Sequence, residues 1–130
     1  MRSVEPIDYL NPSPRKPEQL IWIKVAGQLP SKTDNSLHHA ILAYASDFSL
    51  MSTSLLPHAV SIMNPKLQPA SLDHCIWFHD SFRADEWMLY HMDSLRSSRA
   101  RGLSRGTFYT QDGRLVASTI QEGLMRLHSE

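Results

Sequence analysis

Residues 35–51, NSLHHAILAYASDFSLM, decide how the rest of the chain is read. Leu37, Ala40, Ile41, Tyr44, Phe48, Met51 and Leu55 recur at spacings of three and four, the period of an α-helix with a continuous apolar stripe. Leu42, Ala43 and Ala45 add apolar residues off that stripe, the pattern of a helix enclosed by other elements. Asn35 or Ser36 is placed to cap its start. Pro57 ends it at the latest, and Ser52-Thr53-Ser54 are suited to loosen its last turns.

On both sides of this helix the apolar period changes to two. Residues 19–29 put Ile21, Ile23 and Val25 on one strand face and Trp22 and Lys24 on the other. Residues 70–79 set Ala70, Leu72, Ile76 and Phe78 against Ser71, Asp73, Cys75 and Trp77. Residues 86–92 predict another strand, and the basic run 96–101 a loop or bulge. Residues 103–110 and 114–126 are two further strands, joined at Gln111-Asp112-Gly113 by a hairpin sequence. One strand, one buried helix and about four more strands is an α+β order, satisfied when a helix lies along a curved antiparallel sheet. Pro6, Pro12, Pro14 and Pro17 make residues 1–18 an extended leader or linker, leaving 19–130 as the domain.

The composition narrows the function classes. The 130 residues have room for one domain, and 42% hydrophobic with 20% charged residues excludes wholesale disorder. Thirteen Lys+Arg against thirteen Asp+Glu leave no basic excess, which argues against nucleic acid as a partner. No apolar run is long enough for a membrane span, and no signal-peptide core follows the N-terminal basic residue. The single Cys75 cannot form an internal disulfide, as suits an intracellular, reducing compartment.

Several residues are candidates for chemistry, each with a plainer alternative. Asp47 follows Tyr44 among apolar neighbours, where a carboxylate needs partners or a cavity; alternatively it is exposed with Ser46 and Ser49. Ser71 is a strand hydroxyl, either satisfied at the surface or functional. Gln121 shares a face with Ala117 and Thr119, where its amide suits a water or carbonyl, or is a routine strand side chain. Arg96, Arg99, Arg101 and Arg105 form either a solvated loop or a clamp for phosphate oxygens. The seven His residues make a poor metal site: His38 and His39 diverge around a helix, and His74 and His79 fall on opposite strand faces. Cys75 reads as a buried small residue with no partner to activate it.

Three stretches, HHAILAYASDFSLMSTSLLPH, ASLDHCIWFHDSFRADEWMLY and SSRARGLSRGTFYTQDGRLVASTIQEGLMR, resemble in order the C-terminal half of acyl-CoA thioesterase II enzymes, the bacterial TesB type and the peroxisomal acyl-CoA thioesterases. The resemblance covers about residues 20–128, and NPSP…PEQLIWIKVAGQLP is similar to the junction into that half. It implies a hotdog fold, a long helix wrapped by an antiparallel sheet, and hydrolysis of acyl-CoA to a fatty acid and CoA. It also implies that Asp47, Ser71 (where the family often has Thr) and Gln121 position and deprotonate a water, with no metal or redox cofactor. Arg99, Arg101 and Arg105 are candidates for the CoA phosphates from their charge alone.

Family members have two hotdogs with the active site where they meet, so a second hotdog is the expected partner, from another copy or another subunit. A non-catalytic hotdog that binds acyl-CoA or completes an assembly is the alternative. An enoyl-CoA hydratase fits less well, because the His expected five residues after the Asp is Ser52. The resemblance implies a cytoplasmic or peroxisomal location, although Leu127-His128-Ser129-Glu130 is not an SKL-type signal.

Overall fold

Asp34, rather than Asn35 or Ser36, caps the helix by accepting the Ser36 amide at 2.9 Å. In the computed structural model, which describes residues 1–129, helix α1 then spans Asn35–Ala45. It does not continue to Pro57. The Ser46 hydroxyl donates to Ala43 O at 2.7 Å, the chain turns through residues 46–49, and Ser49 takes a left-handed φ of 65°. A short helix α2, Leu50–Thr53, and a 3-10 turn at Leu56–His58 complete the helical segment.

The buried face of α1 also differs from expectation. His38, Leu42 and Ala45 face inward, whereas Leu37, Tyr44 and Phe48 are exposed, Tyr44 by 74%. A helix apolar on most sides carries no clear mark of which side meets the sheet, so periodicity selected the wrong stripe.

Among the described residues seven strands form one antiparallel sheet: β1 (Arg2–Ser3), β2 (Glu18–Ile23), β3 (Leu67–Ser71), β4 (Cys75–Phe78), β5 (Met88–Ser98), β6 (Arg101–Thr110) and β7 (Leu115–Leu127). Their order is β1-β2-β5-β6-β7-β3, with β4 also pairing β7. The sheet curls around the helical segment, as the element order predicts and as the family resemblance implies. Its core holds Ile21, Ile23, Leu42, Tyr90, Phe108 and Val116. Tyr90 stacks on Phe108 with ring centroids 3.9 Å apart. Gly106 lets the strands close over that ring, because a Cβ there would collide with Tyr90.

Boundaries shift where backbone geometry intervenes. β2 stops at Ile23, short of the expected strand, and the chain turns at Gly27 with φ +85°. The basic run 96–101 is not a loop: β5 continues to Ser98 past a bulge at Leu95, and Arg99 and Ala100 make a tight turn, both left-handed. Residues 1–18 supply β1, whose Arg2 pairs with Trp22, and Arg15 ties this segment down by donating to Leu56 O at 3.0 Å.

The largest departure is in residues 70–79, expected as one strand. Ser71 pairs with Gly123 and Cys75 with Ile120, so four steps on one side answer three on β7. One extra residue is a bulge, and it reverses which side chains point inward beyond it. Asp73 secures it by accepting the Glu122 amide at 2.7 Å, while the Leu72 amide donates to Glu122 O at 2.9 Å. Among the described residues no helix is long and apolar enough to cross a membrane.

The loop after β2 is held by Asp85, which accepts the Leu29 amide at 2.8 Å and two contacts from Arg83 at 3.0 and 3.1 Å. The Arg83 guanidinium, followed by that amide, lowers the Asp85 carboxyl from 3.8 to about 2. A lowered carboxyl contributes stability above its unfolded pKa and loses it as pH falls toward its folded value. Urea midpoints are expected to fall between pH 4 and 2 in the wild type, and to fall less over that window in Asp85→Asn, which starts lower.

Candidate active site

Asp47 lies in the turn between α1 and α2, its side chain 57% exposed. The turn is fixed from below by the Tyr90 hydroxyl, which donates to Ser46 O at 2.6 Å. Burial pushes the Tyr90 phenol far up, and the Asp47 charge adds to the effect, so it remains a donor. Ser71 ends β3, and Gln121 sits buried on the inner face of β7 with Ala117 and Thr119, as their alternation predicts.

Three separate segments thus bring the expected residues together. The Gln121 amide donates to Ser71 Oγ at 2.6 Å, and Ser71 Oγ lies 3.5 Å from Asp47 Oδ1, a long contact. Ser71 shares the face of Gln121 because it pairs with Gly123, and the bulge that follows turns Ile76 and Phe78 to that same face; the uninterrupted strand expected from the sequence puts Ser71 opposite them.

Sequence reasoning missed His74. Its ring is three-quarters enclosed at the centre of the group, with Nδ1 2.9 Å from Gln121 Oε1 and 4.0 Å from Asp47 Oδ1. Nε2 lies 2.7 Å from Ser46 Oγ and 3.1 Å from Thr119 Oγ1. A signal was available: His74 shares the inward phase of Ile76 and Phe78 and stands three residues after Ser71. Cys75, expected to be buried, is exposed, because the alternation that turns Ile76 and Phe78 inward turns it out.

The arginines divide. Arg99 and Arg101 line one open groove with Arg96, Ser98 and Glu122, and Arg101 lies 3.7 Å from Glu122. Arg105 stands further along β6, paired with Asp93 at 2.8 Å. His38 accepts the Ala84 amide and His39 stacks on Phe78. Among the described residues no three His, Cys, Asp or Glu side chains converge as metal ligands would.

A carboxylate open to solvent, beside a hydroxyl and an amide, has the groups needed to hold a water and accept its proton. The acyl-CoA thioesterase family profile matches residues 13–124. The chain belongs to the acyl-CoA thioesterase family. It is 38% identical over 128 residues to human acyl-coenzyme A thioesterase 8, covering 91% of this chain and 38% of that protein. It is 39% identical over 109 residues to acyl-CoA thioesterase 2 of Haemophilus influenzae, covering 84% of this chain and 37% of that one.

Among solved structures, acyl-CoA thioesterase II TesB2 from Mycobacterium marinum superposes with a TM-score of 0.78 at 42% identity, over 92% of this chain and 46% of that one. The fold expected from the family resemblance is therefore the one observed. The chain spans less than half the length of these family relatives.

Removing the Tyr90 hydroxyl leaves Ser46 O without a buried partner. Tyr90→Phe is expected to cost about 1–3 kcal/mol of stability, read from urea denaturation.

Proposed function

We propose that this chain is an acyl-CoA thioesterase domain, residues 19–130 with a leader at 1–18, hydrolysing fatty acyl-CoA to free fatty acid and CoA. The observation that carries the reading is the convergence of Asp47, Ser71 and Gln121 from a helical turn and two strands. The names of the family relatives support the same chemistry.

In this mechanism Ser71 and Gln121 orient a water against the Asp47 carboxylate, which takes its proton as the oxygen attacks the thioester carbonyl carbon. A C–O bond forms, the C–S bond breaks, and the departing CoA thiolate receives a proton from Asp47. The Arg99 and Arg101 groove meets CoA phosphates, with Arg105 further along the same face.

A second hotdog completes the site. Asp47 is open to solvent, and Tyr44 and Phe48 form an edge-to-face pair, 5.1 Å between centroids, on the exposed side of the same helical segment. Exposed aromatic surface beside a reactive carboxylate calls for a cover that also excludes water. That cover is another copy of this chain or a separate N-terminal half.

Asp47→Asn is expected to lower kcat about 100- to 10,000-fold, followed with palmitoyl-CoA and a thiol reagent. Unchanged turnover in that variant would sink the mechanism, and a folded, assembled wild-type protein without turnover would favour an acyl-CoA-binding role instead. Arg101→Ala is expected to raise KM about three- to fivefold with little change in kcat, since an exposed charge pair contributes about 1 kcal/mol. Light scattering tests the cover: a monomer that turns over acyl-CoA at full rate would remove the need for it.

A further inference from the structure

The geometry points to His74 as the positioning residue of this site. Its Nδ1–H holds the Gln121 carboxamide in the orientation that leaves the Ser71 hydroxyl proton for Asp47. The inference rests on the proposed roles of Asp47, Ser71 and Gln121 and adds the group that sets the direction of their hydrogen bonds.

The direction follows from counting donors. The Ser46 hydroxyl has one proton, directed to Ala43 O at 2.7 Å, and the Thr119 hydroxyl directs its own to Cys75 O at 2.7 Å. Either hydroxyl can instead turn that proton to His74 Nε2, 2.7 Å from Ser46 Oγ and 3.1 Å from Thr119 Oγ1, which leaves the ring N–H on Nδ1. Nδ1 faces Gln121 at 2.9 Å. A carboxamide can present either its oxygen or its NH2 there, and which it presents is assigned by the network around it.

The two orientations have opposite consequences for Ser71. With its oxygen on a donating Nδ1, Gln121 turns its NH2 onto Ser71 Oγ, as observed at 2.6 Å. Ser71 then accepts from Gln121, and its own proton points toward Asp47. With the amide reversed, Gln121 would donate to a bare Nδ1 and accept the Ser71 proton, and Asp47 would lose its hydroxyl donor. In the observed arrangement Nδ1 also lies 4.0 Å from the Asp47 carboxylate. The ring acts through Gln121 and Ser71.

Two substitutions separate the nitrogens. The Asn amide nitrogen reaches the place of Nδ1, whereas the Gln amide nitrogen reaches that of Nε2. In the assembled enzyme, His74→Gln is expected to lower kcat about 100-fold with KM unchanged, the size of effect that a misplaced reacting group produces. His74→Asn is expected to restore most of that loss. Equal losses in the two variants, or wild-type kcat in a folded His74→Gln, would overturn the proposal.

Asp47→Asn is run alongside. If it keeps full turnover, the site reading itself falls; if it is inactive while His74→Gln is not, only the role of His74 falls. A measurement independent of turnover uses the nitrogen-15-labelled chain at the assay pH. The imidazole shifts of His74 are expected to mark Nδ1 as protonated, and an unprotonated Nδ1 would overturn the proposal.

Discussion

One surplus residue between β3 and β4 governs the interior of this protein. On an unbroken strand, Ser71 and His74 would point to opposite faces and only one could meet Gln121. The bulge at Leu72 and Asp73 reverses the phase, so both reach the same carboxamide from one side. Its cost is a break in the ladder, offset by the Asp73 carboxylate and by the two amides that converge on Glu122 O. Remove that accommodation and the site residues remain in the chain but no longer face each other.

The opposite wall is set with similar economy of means. Tyr90 is packed flat on Phe108, over the gap that Gly106 leaves, and its hydroxyl reaches up to the carbonyl of Ser46. The turn that carries Asp47 is thereby referenced to the middle of the sheet rather than left to the mobility of a loop. Further along, Gln19 donates to Thr53 Oγ1 at 2.8 Å, so the buried hydroxyls of α2 are matched by a strand side chain. The helical segment is anchored to the sheet by these polar contacts at Ser46 and Thr53 and by the buried Leu42, Ala45 and Leu50.

Much of this was legible in the sequence because period two is unambiguous where one face is buried. The inward set Ile21 and Ile23, the hairpin at Asp112-Gly113, and the common face of Ala117, Thr119 and Gln121 all follow from alternation and turn chemistry. The α1 face did not, since Tyr44 and Phe48 are as apolar as the residues that bury. The bulge left no composition mark: Leu72-Asp73 looks like any strand pair until the register of β7 is known. His74 was hidden for the same reason, because its role depends on which way its neighbours turn. Asp47, Ser71 and Gln121 were named through the family resemblance; alternation alone left each with a bland alternative.

The bulge is tied to Glu122 through main-chain atoms only, its N–H and its carbonyl. The Glu122 side chain points instead into the outer groove toward Arg101. Position 122 thus holds two independent assignments on its two sides, a structural one carried by backbone and an electrostatic one carried by the carboxylate. The charge of the groove can drift during evolution, or be retuned by design, at the very residue beside Gln121 without disturbing the register that assembles the interior.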